Sequence, residues 1–467
     1  MNNKTTRGRE ATYDLPVVIL AAGEGCRLQA GNGGKPKPLT RLLGLTFLER
    51  VILSCREVGV REFYVVTGCY EDELIRHVEE LARRLGISIR PVHNPNWPDG
   101  NGTSVLAVSP YIAGPFLLVM CDHLFDPDIL RCLMEATDDG EGCLLAVDPR
   151  VDQVFDLKDA TKVCLDGRNV TAIGKGLAPF DAVDTGLFLC RPFLFDALAE
   201  AGRGGDGSLS GGVRRLVEEG RVRAVDVADR FWLDVDTPES LSVGKKHLLT
   251  GLAKRGDDGI ISRRLNRPLS RRISQLLAAT PLTPNAITVL SFLSCLGGAF
   301  LFSLGIYGWT VVAGFLVQWA SVLDGCDGEV ARLKFQGSRF GAWFDTVLDR
   351  YADVAVVMGI SYGYWLAHPR PLVWLAGAVA LTGFVLASYT KKEYALRFRL
   401  QPPGGVLSSL AKRDVRLFAL FLGALVNRPF EVMVLVGLLS HTIIGWLFFA
   451  VYRQRRRGAG EDLQPVE

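Results

Sequence analysis

Apolar and polar positions alternate in two different ways along this chain. Up to about Thr250, short apolar runs are separated by charged stretches: VVIL (17–20), FYVVTG (63–68), FLLVM (116–120), CLLAV (143–147) and GLFLC (186–190). The stretches TFLERVILSCREVG and EDELIRHVEELARRLG carry apolar residues three and four apart, the spacing of one helix face. Runs of this length between amphipathic helices predict buried parallel strands in an α/β sheet.

After about Arg255 the pattern changes. A basic stretch, SRRLNRPLSRRISQLLAA (262–279), precedes long apolar segments at 285–305, 308–331, 342–367, 371–389, 413–427 and 430–452. Most approach the ~20 residues that a bilayer core requires. The fifth is the weakest, its uninterrupted apolar run being only Leu417–Val426. Soluble-core helices are the alternative, and the succession of such segments argues against it. One set of loops carries Arg332, Lys334 and Arg339, then Lys391, Lys392, Arg397, Arg399, Lys412 and Arg413, then Arg453 and Arg455–Arg457; the alternate loops carry only Arg370 and Arg428. The positive-inside rule therefore predicts a multi-pass integral membrane protein with six spans and both termini and the active sites cytosolic. Segment 262–279 reads as an amphipathic helix lying on the cytosolic leaflet of the lipid bilayer. The fold class expected is an α/β Rossmann-like domain over 1–250, a linker and interfacial helix over 251–281, and an all-α six-span transmembrane domain over 282–467.

Composition narrows the function classes. Among 467 residues, Lys plus Arg is 53 and Asp plus Glu is 50, for a net charge of +3, so no nucleic-acid partner is expected. Apolar residues at 48% and charged residues at 22% exclude a disordered chain. Ten cysteines lie scattered with no C-x-x-C pair, which predicts reduced thiols in a cytosolic compartment rather than a disulfide framework or a zinc site. The N-terminus has no apolar h-region, so no cleavable signal peptide is expected.

The first apolar run leads into AAGEGCRL (21–28) and then GGKPKPL (33–39). Glycines directly after a strand let backbone N–H groups approach a phosphate, and Arg27 and Lys37 supply counter-charge. No G-K-[ST] follows, so this is not a P-loop. The segment resembles the signature of nucleoside-diphosphate-sugar pyrophosphorylases, nucleotidyltransferases that join an NTP to a sugar, polyol or choline phosphate. The resemblance implies that the loop of Ala22, Gly23 and Gly25 wraps the triphosphate while Arg27 and Lys37 hold phosphates during attack on the α-phosphorus. Cys26 stands where the pattern usually has Thr.

Further matches follow in order. FLLVMCDHLF places Asp122 at a buried strand end, and FWLDVDTPES places Asp234 and Asp236 at another. By resemblance Asp122 and Asp236 hold Mg2+ against the phosphates; capping of the next helix is the alternative for either. NPNWPDGNGTSV (94–105) resembles a base- and ribose-reading loop, with Asn101, Gly102 and Ser104 as contacts. ATKVCLDG, IGKG and VDTGLF (160–188) resemble the acceptor side, where Lys162 and Lys175 either meet a phosphate or are solvated. The D-H and T-K-V…I-G-K…D-T-G-L-F series is most similar to the branch that uses CTP with inositol 1-phosphate or phosphocholine.

One string carries the chemistry of the second half: SVLDGCDGEVARLKFQGSRFGAWFDTVLDR. Asp324 and Asp327 are i,i+3 and Asp345 and Asp349 are i,i+4, so each pair shares a helix face. Carboxylates at the edge of apolar spans are costly unless they bind something, and converging hard oxygens suit Mg2+ or Mn2+. Small residues at Gly328, Ala331 and Gly341 let a flat, charged ligand lie against backbone. With Arg332, the string matches the signature of the CDP-alcohol phosphotransferases over about 258–453. That resemblance implies metals on Asp324, Asp327, Asp345 and Asp349 that bind a CDP diphosphate, and Asp349 as the base for the acceptor hydroxyl. Lys391, Lys412, Arg413 and Arg332 either hold an acceptor phosphate or anchor the surface to anionic lipid.

A domain that makes a CDP-alcohol followed by one that consumes it resembles the bifunctional enzymes that form CDP-inositol from CTP and inositol 1-phosphate, then transfer phosphoinositol to a second inositol 1-phosphate. Homodimerisation through the membrane domain is carried over by resemblance. A cytidylyltransferase fused to a phospholipid synthase with a lipidic acceptor or donor is the alternative, and a non-catalytic recruiting module for the first half is a third reading.

Overall fold

The computed structural model describes residues 15–25, 35–136, 140, 142–252, 261–398 and 412–456. Arg27 and Cys26 lie outside the described residues. The chain divides into two compact units, Met1–His247 and Leu248–Glu467.

The first unit is α/β. Its strands are β1 (Val17–Leu20), β2 (Arg41–Leu42), β3 (Leu45–Thr46), β4 (Glu62–Thr67), β5 (Ser88–His93), β6 (Phe116–Met120), β7 (His123–Phe125), β8 (Cys143–Asp148), β9 (Lys162–Asp166), β10 (Asn169–Gly174), β11 (Ala182–Cys190), β12 (Val222–Asp226) and β13 (Trp232–Asp234). Nine of them form one sheet in the order β5-β4-β1-β6-β11-β8-β12-β10-β9. Its helices are α1 (Phe47–Glu57), α2 (Glu71–Leu85), α3 (Asn101–Leu106), α4 (Asp128–Glu135), α5 (Phe193–Arg203), α6 (Leu209–Glu218) and α7 (Pro238–Thr250).

Both faces of the sheet are covered, which is why its strands read as unbroken apolar runs. Val17 and Ile19 pack with Leu48 and Ile52 of α1, Leu74 and Val78 of α2, and Leu130 of α4. Val18 and Leu20 face the other way, into a cluster with Val105 of α3, Leu198 of α5 and Val213 of α6. Each such side chain contributes about 1.5–3 kcal/mol by leaving water. The first turn of α1 reads Thr46-Phe-Leu-Glu49, and the Thr46 hydroxyl accepts from the Glu49 N–H at 3.1 Å.

One expectation needs correcting. β1, β4 and β6 pair in parallel as expected, but the GLFLC run lies in β11, which is antiparallel to both β6 and β8. A strand buried on both faces is apolar throughout whichever way it runs, so the pattern carries no direction. β7 and β13 form a separate two-stranded antiparallel ribbon, with Asp234 opposite His123.

The second unit is helical: α8 (Arg267–Ala278), α9 (Pro284–Ser303), α10 (Tyr307–Leu333), α11 (Arg339–Ala367), α12 (Pro371–Phe398), α13 (Arg413–Leu425) and α14 (Pro429–Arg456). Among the described residues four helical stretches are long and apolar enough to cross a membrane: Pro284–Ser303, Tyr307–Leu333, Pro371–Arg397 and Pro429–Arg453. The expectation of six such spans is met only to that extent. α11 has the length but carries Asp345, Asp349, Arg350 and Asp353, and α13 has only 13 residues.

Thr283 caps α9 by accepting from the Ala286 N–H at 3.3 Å, with Pro284 in the first turn, as the TPN sequence favours. α9 and α11 meet backbone to backbone. A Cβ at Gly359 would lie 2.1 Å from the Ala299 carbonyl oxygen, and one at Gly363 equally close to that of Phe302. α8 turns a polar stripe inward: fully buried Glu329 of α10 accepts from Arg267 Nη1 at 2.6 Å, Ser270 Oγ at 2.8 Å and Ser274 Oγ at 2.7 Å. Its Leu269 and Leu276 are exposed. Among the described residues every cysteine is a free thiol, and Cys55, Cys121, Cys143, Cys190, Cys295 and Cys326 are buried.

Candidate functional site

Each unit has a cavity lined by carboxylates and cations. In the first unit a cavity of about 610 Å³ opens at the carboxyl end of β1 and β6, within the size range of small-molecule sites. Ala22, Gly23 and Gly25 line it. Gly25 has φ +63°, and a Cβ there would lie 2.4 Å from Lys37 Cβ, so the turn needs glycine both for its backbone and for the close approach of Lys37.

The Lys37 side chain, 7% exposed, gathers the acids. Its Nζ is 2.5 Å from Asp122 Oδ2, bonds Asp236 Oδ1, and stands 4.0 Å from Asp234 Oδ1. The β7–β13 ribbon brings these acids together, since the Val235 N–H donates to the Asp122 carbonyl at 3.2 Å. Asp234 and Asp236 are two residues apart on an extended segment, so they point to the same side. Asp122 Oδ1 is 2.9 Å from His123 Nδ1. Donor atoms of Asp122, His123 and Asp234 lie within 4.8 Å of one another. The sequence pairing of Asp122 with Asp236 thus gains Asp234 and His123 as further candidate ligands, while Asp236 is engaged by Lys37.

Charge in this cluster is mutually supported. Burial alone would pull the Lys37 ammonium down, but Asp122, Asp234 and Asp236 outweigh it and hold it well above its ordinary value. Burial likewise opposes ionisation of Asp122, yet Lys37 and His123 hold its carboxyl well below the usual range. His123 is raised to about 9 because Asp234 and Asp122 outweigh its burial. Asp234 is pushed up to about 6 by burial, against the pull of His123.

The remaining residues predicted for this site fall into two groups. Asn101 and Ser104 line the cavity; the Asn101 side chain also accepts from the Leu209 N–H at 2.8 Å, and Ser104 Oγ accepts from Asn94 Nδ2 at 3.0 Å. Gly102 is not among the lining residues. Its N–H donates to the Gly207 carbonyl at 3.0 Å, and a Cβ would lie 2.6 Å from that oxygen. Lys175 lines the cavity and pairs with Asp159 at 2.6 Å, whereas buried Lys162 donates to the Lys158 carbonyl at 3.1 Å and is not among the lining residues. Sequence reasoning passed over Asp184, which lines the cavity, accepts from the Gly186 N–H at 2.7 Å and is raised to about 6 by burial. The D-T-G string was its signal.

In the second unit a cavity of about 590 Å³ is lined by Asp324, Asp327, Gly328, Ala331 and Arg332 of α10, and by Gly341, Asp345 and Asp349 of α11. Of the two pairs, three carboxylates gather and Asp327 stands apart from them. Donor atoms of Asp324, Asp345 and Asp349 lie within 4.8 Å of one another, while Asp327 accepts from Thr288 Oγ1 at 2.6 Å. Around Gly328 the nearest atom to an added Cβ would be Arg332 Nη1 at 3.4 Å, so the helix surface there is open. Arg332 Nη2 donates to the Leu252 carbonyl at 2.8 Å. Lys391, Lys412 and Arg413 also line the cavity. Arg413 Nη1 bonds Asp349 Oδ1 at 2.7 Å and Asp324 Oδ1 at 3.3 Å. Both donor sets are dominated by hard carboxylate oxygens, the chemistry that suits Mg2+ or Mn2+.

Comparison with known proteins matches each unit. Residues 17–224 match the family described as MobA-like NTP transferase domain, and residues 281–452 match CDP-alcohol phosphatidyltransferase. A Rubrobacter xylanophilus protein named bifunctional IPC transferase and DIPP synthase is 39% identical over 446 residues, spanning 94% of this chain and 97% of the relative. A protein of the same name from Thermococcus kodakarensis is 33% identical, over 86% of this chain and 88% of its own. A solved structure, the inositol-1-phosphate CTP transferase from T. maritima, is 26% identical with a TM-score of 0.45, covering 50% of this chain and 96% of that one.

Proposed function

We propose, for a chain that belongs to the bifunctional IPC transferase and DIPP synthase family, two successive transfers in two separate units. The first joins CTP and inositol 1-phosphate to give CDP-inositol and pyrophosphate. The second moves phosphoinositol from CDP-inositol to a second inositol 1-phosphate, giving di-myo-inositol phosphate-phosphate and CMP. The observation that carries this reading is that each unit has its own cavity in which three metal-type donors lie within 4.8 Å of one another beside a cationic side chain, Lys37 in the first and Arg413 in the second.

In the first cavity the phosphate oxygen of inositol 1-phosphate attacks the α-phosphorus of CTP, and pyrophosphate leaves. Gly23 and Gly25 offer backbone to the triphosphate, and Lys37 with Arg27 holds phosphate charge as it shifts to the leaving group. Asn101, Gly102 and Ser104 bound the nucleoside end, Gly102 by fixing the turn against Gly207. Lys175 and Asp184 lie on the wall left for the polyol phosphate. Asp122 and Asp236, with Asp234 beside them, would hold the cation.

In the second cavity Asp349 takes the proton from the acceptor hydroxyl as its oxygen attacks the phosphorus that carries inositol, and CMP leaves. Gly328 leaves backbone open to the nucleotide beside Ala331 and Gly341, and Lys391, Lys412 and Arg413 face the acceptor phosphate. Asp324, Asp327, Asp345 and Asp349 would hold the cation. In both sites bound Mg2+ or Mn2+ supplies Lewis-acid stabilisation of phosphoryl charge.

The membrane arrangement belongs to the same proposal. α11 crosses with its charged residues turned into the bundle, and α13, about 20 Å long at 1.5 Å per residue, is a short fifth crossing of six. An even count keeps both termini cytosolic, with α8 on the leaflet by its exposed Leu269 and Leu276. Pairing of two copies through the membrane unit is carried by resemblance.

The test is to incubate the purified full chain with CTP, Mg2+ and a panel of phosphorylated alcohols, including a lipid hydroxyl acceptor, and to read pyrophosphate and CMP separately. Pyrophosphate release with inositol 1-phosphate, followed by CMP release without added lipid, is expected. CMP release only with the lipid acceptor would favour a phospholipid synthase, and no pyrophosphate with any alcohol phosphate would reduce the first unit to a binding module.

A further inference from the structure

A further carboxylate stands behind Asp324, Asp327, Asp345 and Asp349 of the second cavity. Asp353 lies one helical turn beyond Asp349 on α11 and continues the i,i+4 row of Asp345 and Asp349. Unlike them it is not a cavity-lining residue, and its side chain is 2% exposed.

Its two oxygens serve three guanidinium groups. Oδ1 accepts from Arg413 Nε at 3.3 Å; Oδ2 accepts from Arg350 Nη1 at 2.9 Å and from Arg416 Nη2 at 3.4 Å. Arg416 is itself buried, donates through Nη1 to the Phe384 carbonyl at 2.7 Å, and lies 4.6 Å over the Phe384 ring. The anchor is therefore tied to α12 as well as to α11 and α13.

A guanidinium is planar, with its donors in a fixed fork. Holding the Nε edge of Arg413 at Asp353 sets where the other edge points. That edge reaches Asp349 Oδ1 at 2.7 Å and Asp324 Oδ1 at 3.3 Å. A buried ion cluster is a weak source of stability, because desolvation offsets most of the attraction. Inside a bundle of apolar helices such a cluster is better accounted for by what it orients.

We propose that Asp353 is a positioning residue for the second transfer: it aims the guanidinium of Arg413 at the Asp324–Asp349 end of the cavity, where Arg413 holds the phosphate of the incoming acceptor beside the Asp349 carboxylate. This rests on the reading of that cavity as the phosphoinositol-transfer site. Asp353 touches neither substrate. It acts through Arg413, and its removal leaves the Nε edge of Arg413 without the Asp353 anchor, so the guanidinium no longer holds its aim.

The experiment uses the full chain in detergent, supplied with CDP-inositol and inositol 1-phosphate, with CMP release as the readout. The unaltered chain must release CMP in proportion to both substrates; if it does not, the reading of the cavity fails, independently of Asp353. With that established, Asp353→Asn is expected to lower kcat/KM for the acceptor by about 10–100-fold, the usual cost of losing a supporting carboxylate behind a site. KM for CDP-inositol and pyrophosphate release from CTP should stay within twofold of the parent. Asp353→Glu, which keeps the charge, should recover part of the loss. The double variant Asp353→Asn/Arg413→Lys should be no worse than Arg413→Lys alone. An acceptor kcat/KM equal to the parent's in Asp353→Asn, or single losses that multiply in the double variant, would overturn the proposal. Equal changes in both substrates' KM would overturn it too, as the mark of a purely structural role. If Asp353→Asn is not recovered as folded protein, the same cycle is run with Asp353→Glu and Arg413→Lys, under the same criterion of non-additivity.

Discussion

Lys37 Nζ lies 2.5 Å from Asp122 Oδ2, across 85 residues of chain. The contact joins the turn after the glycine loop to the end of the strand that supplies the first acid. Two further carboxylates, Asp234 at the end of the β7–β13 ribbon and Asp236 two residues beyond it, complete the cluster. One ammonium thus sits among three acids in the cavity of the first unit.

Removing that ammonium should disable the first transfer alone. Lys37→Ala is expected to lower pyrophosphate release by about 10²–10³-fold, the scale on which a preorganised charge contact acts. CMP release from supplied CDP-inositol should not change. Pyrophosphate release at the parent rate would show that the first unit does not use this lysine on phosphate.

Asp148 should link the stability of the first unit to pH. Its side chain accepts from Arg150 Nε at 2.9 Å and from Trp232 Nε1 at 2.8 Å, and Trp232 opens the strand that carries Asp234. Burial pushes the Asp148 carboxyl up, but the Arg150 and Trp232 hydrogen bonds outweigh it and hold the carboxyl below its ordinary value. A depressed carboxylate contributes stability that is present above its unfolded pKa, about 3.9, and lost as pH falls through the folded value. Asp148→Asn should therefore cost about 1.5–3 kcal/mol at neutral pH. The gap between parent and variant should narrow below about pH 4. Thermal unfolding of both chains across this range checks it; a gap independent of pH would contradict it.

A shortened chain of residues 1–254 should be soluble and should release pyrophosphate from CTP and inositol 1-phosphate. The two compact units divide at His247 and Leu248, and the four membrane-length helical stretches all lie beyond that point. An aggregated or inactive product would place the boundary elsewhere.

Much of this was legible in the sequence, for identifiable reasons. The apolar runs located the strands because both sheet faces are covered by helices, and the same burial concealed that β11 runs against its neighbours. The i,i+3 and i,i+4 spacings located the second carboxylate set because a helix fixes which residues share a face. Asp353 continues that spacing, but nothing in the sequence shows that Arg413 and Arg416 reach it from another helix. Lys162 illustrates the opposite failure: its motif points to the cavity, while its side chain bonds the Lys158 carbonyl. α13 was the weakest apolar segment and is the shortest helix of the bundle beyond α8, because charges at Arg413, Asp414 and Arg416 occupy its first turn.

The account stands on two sites that work independently in one chain, and Asp349→Asn measures this most directly. Given CTP, Mg2+ and inositol 1-phosphate, the full-length variant should release pyrophosphate at the parent rate, accumulate CDP-inositol and release no CMP above background. Loss of pyrophosphate in step with CMP would contradict the account, since a single side chain of the second unit would then be required for both transfers.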